Sequence, residues 1–197
     1  PVPNRHALDE RRSQAAGAWA VDDAVVVIPS GLPVPIAGTD QFHDFHAHGE
    51  HYYLSGVSGS TSVLTFAPTD GWTMFAYQPS AAEQVWTGPG PAVDELRRDS
   101  ALDDVRPLDE LSDWLEKRRG RRVALLGNQD VAQSAAGYGL SSWASLELDV
   151  DEELAGRYSE QLDALRRVKD DPELGHMREA AAASHEGHMM GLRLARP

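Results

Sequence analysis

Thr61-Ser62-Val63-Leu64-Thr65-Phe66-Ala67-Pro68-Thr69-Asp70-Gly71-Trp72-Thr73-Met74-Phe75-Ala76-Tyr77 is the stretch on which the fold turns. Its two arms, Thr61 to Phe66 and Trp72 to Tyr77, are β-branched and aromatic, and Pro68-Thr69-Asp70-Gly71 joins them. Proline presets φ, aspartate bonds to nearby backbone and glycine takes positive φ, so the segment predicts a β-hairpin. Upstream, Ala24-Val25-Val26-Val27-Ile28 is a short unbroken apolar run, the pattern of a buried strand. Strands and helical patterns alternate downstream, which indicates an α/β layer structure. The antiparallel hairpin makes its sheet mixed rather than purely parallel.

Asn4 is placed to cap a helix through about Trp19, with Leu8, Ala15 and Trp19 on its inner side. The Pro- and Gly-rich segment from Pro29 to Asp40 reads as a loop. Glu83 to Trp86 reads as a short strand, stopped by Gly88-Pro89-Gly90-Pro91. Pro91 can open a helix to about Arg98. Pro107 can open another, carrying Leu108, Leu111, Trp114 and Leu115. Arg122 to Leu126 reads as a strand, Asp130 to Gly139 as a short helix, and Ala144 to Leu148 as a further strand.

From Asp151 the pattern is wholly helical. Tyr158, Leu162, Leu165 and Val168 form one stripe. Asp171-Pro172-Glu173 then supplies an N-cap, a first-turn proline and a first-turn acid for a second helix, to Leu194. That helix would run about 33 Å. Its apolar side (Leu174, Met177, Ala181, Met189, Leu192) has no later sequence to pack against, so it reads as the first element of another body.

The composition narrows the function. Hydrophobic residues make up 41% of the 197 residues, enough for a real core. The net charge of −13 repels phosphate backbones and anionic lipid, so no nucleic-acid or membrane role is expected. Cysteine is absent, which excludes disulfides, thiolate metal sites and cysteine nucleophiles and suits a reducing cytoplasm. No apolar run reaches the roughly 18 residues of a membrane span.

Several residues invite chemical readings. His43, His46, His48 and His51 fall within nine residues and are of a metal-binding type. On an extended strand, however, His46 and His48 share one face while His43 and His51 share the other. The plainer reading is polar residues on a half-exposed strand and its loop. His185-Glu186-Gly187-His188 has one residue too few between Glu and the second His for a zinc-protease helix, so it reads as a polar patch. Gly88-Pro89-Gly90 lacks the spacing of a phosphate loop, and Ser141-Ser142 lacks recognisable His and Asp partners. Arg118, Arg119, Arg121 and Arg122 form a basic patch at a helix C-terminus.

Three segments, in order, resemble the Xaa-Pro peptidase family (aminopeptidase P and prolidase). Phe45-His46-Ala47-His48-Gly49-Glu50-His51-Tyr52-Tyr53-Leu54-Ser55-Gly56 is similar to the family's aromatic element, with His46 where many members carry Arg and Ser55 in place of Thr. Met74-Phe75 through Glu83-Gln84-Val85-Trp86-Thr87-Gly88 resembles its "E-x-W-x-G" stretch. Leu165-Arg166-Arg167-Val168-Lys169-Asp170-Asp171-Pro172-Glu173-Leu174 with Met177-Arg178-Glu179-Ala180 resembles the run leading into the family's catalytic domain.

The resemblance implies a creatinase/prolidase N-terminal-domain fold, a six-stranded mixed sheet flanked by helices, over residues 1–150. Residues 151–197 would then be a linker helix and the first helix of a "pita-bread" catalytic domain. The family's two divalent metal ions, often manganese, would sit in that domain on two Asp, one His and two Glu. No catalytic residue and no metal ligand is therefore expected in this chain, which by itself would be inactive. The expected role is to shape the substrate pocket and mediate a dimer or tetramer of a cytoplasmic enzyme acting on proline-containing peptides. Trp86 would reach a partner subunit's pocket, the plainer alternative being an ordinary core or rim tryptophan. His48 would face that pocket's mouth. Two other readings share the fold: a non-catalytic peptidase-like binding module, and a fragment of a creatinase-like amidinohydrolase.

Overall fold

The computed structural model describes residues 5–127, 138 and 149–195. The expected N-cap Asn4, most of the helix expected over Asp130 to Gly139, the strand expected over Ala144 to Leu148 and Ser141-Ser142 lie outside the described residues.

The elements in chain order are α1 (Arg5–Trp19), β1 (Val25–Pro29), α2 (Gly49–Ser55), β2 (Ser62–Ala67), β3 (Gly71–Ala76), α3 (Ala81–Thr87), α4 (Val93–Ser100), β4 (Val105–Pro107), α5 (Glu110–Glu116), β5 (Arg122–Leu125), β6 (Asp149–Val150), α6 (Glu152–Arg167) and α7 (Asp171–Leu194). The strands form one six-stranded sheet in the order β4-β3-β2-β1-β5-β6. The hairpin pairs β2 with β3 antiparallel, Phe66 opposite Trp72, and β1 adds antiparallel to β2. β4, β5 and β6 join in parallel, so the sheet is mixed.

β1 is buried along its whole length, because it lies inside the sheet with helices on both faces. Val26 and Ile28 face one layer with Leu64, Met74 and Ala124, under α1, α2, α4 and α6. Val25 and Val27 face the other with Val63, Phe75 and Val123, under Leu111, Trp114 and Leu115 of α5. α6 belongs to the first layer: Leu154, Tyr158 and Leu162 are buried in it, and Trp19 stacks on Tyr158 while donating its indole N–H to the Tyr158 carbonyl at 2.9 Å. The stripe ends there, since Leu165 is half-buried and Val168 exposed. α7 buries none of its described residues.

Three expectations are corrected. The histidine stretch from His43 to His51, read as a half-exposed strand and its loop, is not strand. Gly49–Ser55 is a helix whose end is fixed by Gly56 at φ +69°, its N–H returning to the Tyr52 carbonyl. Glu83 to Trp86 is helix, because Ser80 and Glu83 form a reciprocal capping box that starts α3. Pro107 does not open a helix but ends β4, an edge strand where its missing N–H costs no ladder bond; α5 starts at Glu110.

Candidate functional site

One end of the sheet gathers the sequence's candidate residues. There β1 finishes at Pro29, β2 starts at Ser62 and β3 finishes at Ala76. Backbone bonds knit the loops that leave them: Ser30 N–H to the Ser62 carbonyl, Thr61 N–H to Gly31, and Tyr77 N–H to Thr61. Beside these loops lies a largely apolar groove of about 480 Å³, lined by Pro33, Phe42, Val57, Tyr77, Pro79 and Leu96 among others. Phe42 and Tyr77 are substantially exposed on its rim.

α3 is flanked in sequence by Pro79 and Gly88, both of which line this groove. Its first turn is held by Ser80 and Glu83, and the Glu83 carboxylate also accepts from the Tyr77 hydroxyl at 2.5 Å. The Ser80 and Tyr77 bonds draw the Glu83 carboxyl down to about 2. This braced helix presents Val85 and Trp86 to solvent, Trp86 with 89% of its surface exposed. Trp86 is thus not a core tryptophan of this chain. Trp86→Ala is expected to move the melting midpoint by about 2 °C or less, since an exposed side chain contributes little to folding. Scanning calorimetry checks this; a drop of many degrees would show that the indole packs within the chain.

His48 lies at the same end, half-buried, its backbone N–H bonded to the Ser30 carbonyl. Its ring lies against Gly31. A Cβ on Gly31 would come within 3.0 Å of the His48 Nε2, and φ at Gly31 is +102°. Gly31 N–H donates to the Tyr138 hydroxyl at 3.0 Å, and burial pushes that phenol up to about 12. Gly31→Ala is therefore expected to cost about 1–3 kcal/mol, from a backbone conformation that side chains resist and a displaced imidazole. Urea unfolding measures it, and an unchanged midpoint would contradict this account of the loop.

The four histidines do not form a cluster. His43 and His46 are exposed, His48 is half-buried and His51 is fully buried. His51 was unexpected as a core residue: its ring nitrogens meet the Ser55 Oγ at 3.2 Å and the Ser62 Oγ at 3.1 Å. Burial lowers the ring to about 3, so it is neutral across the physiological range. Among the described residues no three or more His, Cys, Asp or Glu are placed to hold a metal ion. The donor set here does not fit a two-metal centre. His185, Glu186 and His188 lie exposed on α7, His188 Nδ1 being 2.7 Å from the Ser184 carbonyl. No helix of the described residues is long and apolar enough to cross a membrane.

Comparison with known proteins places this geometry. The family model described as the N-terminal domain of aminopeptidase P matches residues 8–125. A protein of Colletotrichum graminicola named "Probable Xaa-Pro aminopeptidase" is 24% identical over 189 residues, 95% of this chain and 35% of its own length. One of the same name from Metarhizium acridum is 25% identical over 174 residues, covering 85% of this chain and 32% of its own. The chain thus spans about a third of the length of the curated relatives it matches. Among solved structures, proline aminopeptidase P II from Yersinia pestis superimposes with a TM-score of 0.74 at 17% identity, over 99% of this chain and 46% of that one. Pseudomonas aeruginosa aminopeptidase PepP gives 0.56 at 19% identity, over 70% and 32%. At such identities these structures attest the fold. Because the family model covers α1 through β5, more than half of the sequence, the chain belongs to the aminopeptidase P N-terminal-domain family.

Proposed function

We propose that this chain is the non-catalytic N-terminal part of a dinuclear-metal Xaa-Pro peptidase, shaping the substrate pocket and holding the enzyme in a dimer or tetramer. The observation that carries the reading is α7. Residues up to α6 close a two-faced core, yet the 24-residue helix that follows has no fully buried described residue. A helix of that length, with Met177, Met190, Leu192 and Leu194 exposed, is suited to cover a partner domain. The domain boundary is proposed near residue 150, with α6 as the linker helix that packs Leu154, Tyr158 and Leu162 into the sheet's own core before α7 departs.

The chemistry is assigned to the C-terminal domain, where two divalent ions, often manganese in this family, would supply an activated hydroxide. This chain's own contribution is at the α3 end of the sheet. An exposed indole on a braced helix offers a flat apolar face to a proline ring in a neighbouring subunit's pocket, and His48 would stand at that pocket's mouth. Cytoplasmic location follows from the same reading.

Two measurements test it. The gene beyond the Pro197 codon should encode, in order, Asp, Asp, His, Glu and Glu at catalytic-domain spacing; an immediate stop codon would overturn the assignment. The 197-residue chain incubated with Xaa-Pro peptides and manganese should release no N-terminal residue. Metal-dependent turnover by it would refute the assignment of chemistry elsewhere.

A further inference from the structure

The junction between α6 and α7 contains an unusual use of charge. Arg11, on α1, is only 5% exposed. Its Nε and Nη2 donate to the Asp170 Oδ2 at 2.9 and 2.6 Å, and Nη2 also lies 3.5 Å from the Glu173 Oε2. Its Nη1 donates to the Tyr53 carbonyl at 3.3 Å, and the guanidinium sits 4.5 Å from the centre of the Tyr53 ring. Asp170 and Glu173 are the capping box of α7: Asp170 Oδ1 accepts from Glu173 N–H, and Glu173 Oε2 accepts from Asp170 N–H. The box fixes both carboxylates relative to the helix axis, and Arg11 fixes them relative to α1 and α2.

We infer that Arg11 is the pin of a joint that sets the direction of α7 against the sheet body. Apolar packing constrains it only weakly, since no described residue of α7 is fully buried and only Pro172 to His176, in its first turns, and Met189 are partly covered. The Coulombic gain of an ion pair with a buried cation is largely offset by desolvation, but a planar guanidinium held by two carboxylates and a carbonyl accepts few orientations. The role is therefore directional, a way in which buried charge specifies one arrangement among several of similar energy. The leverage is large. A 24-residue helix is about 36 Å long, so a 10° error at the joint moves its far end by about 6 Å. If α7 leads into a catalytic domain, that displacement would misalign the α3 end of this body with the pocket it serves. This consequence rests on the peptidase reading; the stiffness of the joint does not.

The absence of cysteine makes the test direct. Spin labels on Glu116→Cys in α5 and Ser184→Cys in α7, both exposed positions, report the distance between body and helix by pulsed electron resonance. The parent chain should give one narrow distance distribution. Its width should at least double in Arg11→Met, which keeps an apolar stem against Tyr53. It should also double in the Asp170→Asn, Glu173→Gln pair, which preserves the capping pattern but removes both charges. The second variant leaves the buried Arg11 cation beside neutral amides and is expected to be less stable than the parent, so the widths are compared well below its own melting midpoint. Unchanged widths in that folded variant, or a parent distribution already as broad, would overturn the inference. Should Arg11→Met not fold, the second variant decides. The distance measurement reads the joint alone and the downstream gene sequence reads the peptidase assignment, so either can fail without the other.

Discussion

Arg12→Met is expected to lower the unfolding free energy by about 3–5 kcal/mol, a large share of what a domain of this size commands. Arg12 sits one residue beyond the joint and does a different task. Its Nη1 donates to the Leu54 carbonyl at 3.0 Å and the Ser100 carbonyl at 2.8 Å, and its Nη2 to the Ala101 carbonyl at 3.1 Å and the Asp9 carboxylate at 2.5 Å. Leu54 lies in the last turn of α2, and Ser100 and Ala101 close α4. Helix C-termini leave carbonyls without intrahelical partners, and these are buried. One cation thus caps two helices and meets the negative ends of both dipoles. Burial pulls the guanidinium below its ordinary value while Asp9 pulls it back. Methionine fills the volume but leaves three buried acceptors unpaired, each worth about 1–3 kcal/mol when stranded, partly relieved by local relaxation. Arg5→Met is the control: its ion pair with Asp103 is solvent-exposed on both sides, so its loss should not be measurable. Urea unfolding followed by tryptophan fluorescence compares the two. Equal midpoints for the Arg12 variant and the parent would sink the capping account.

Neither arginine announces its role in the sequence. Arg5 to Gln14 reads as a charged surface helix, and the apolar positions Leu8, Ala15 and Trp19 are what sequence patterning can see. Apart from Asp9, three residues from Arg12, the carbonyls and carboxylates that Arg11 and Arg12 serve lie 42, 88, 89 and 159 residues away, so no local pattern encodes them. The elements that were legible are those with a single strong period. The hairpin and the unbroken apolar β1 identify the centre of the sheet, and the helical stripe of Tyr158 and Leu162 finds α6.

The misreadings share a cause. Tyr52-Tyr53 and Val85-Trp86 are β-prone pairs, and propensity suggested extended chain at both. The signals that won are short-range hydrogen bonds: Ser80 with Glu83 at the start of α3, and Gly56 at the end of α2. The first was present as a Ser-x-x-Glu pattern and could have been read. Burial at i and i+3 in His51 and Leu54 is the helical period, hidden because a histidine occupied one of its core positions. The candidate site was legible in part. Trp86 and His48 come to one end of the sheet, but only coordinates reveal the groove of Pro33, Phe42 and Tyr77 beside them, because its walls come from four separate segments.

His51 supplies the second large effect, and it is one of pH. The ring is enclosed, with the Ser55 and Ser62 hydroxyls as partners for a neutral imidazole. Its protonation is held down to about 3, chiefly by burial and slightly by the neighbouring His48, against an opposing backbone hydrogen bond at Val57. In the unfolded chain the same ring titrates near 6.5. Below that pH the unfolded state therefore binds a proton that the native state refuses, and stability falls as pH falls, by up to about 1.4 kcal/mol per unit until about pH 3. Between pH 7 and pH 4 the His51 share comes to about 3 kcal/mol. Carboxylates titrate in the lower part of that range, so the parent must be compared with His51→Gln, which keeps a donor and an acceptor but cannot take the proton. At pH 7 the variant should be the less stable of the two. Its disadvantage should shrink by about 3 kcal/mol by pH 4, where the parent alone carries the cost of a neutral buried imidazole. Urea titrations at pH 7, 6, 5 and 4 give the two slopes, and the His51 ring shifts in NMR should stay constant down to about pH 4. Parallel stability curves, or a ring that titrates near 6, would show that the pocket between α2 and β2 is open to water and that His51 is not the neutral latch its contacts describe.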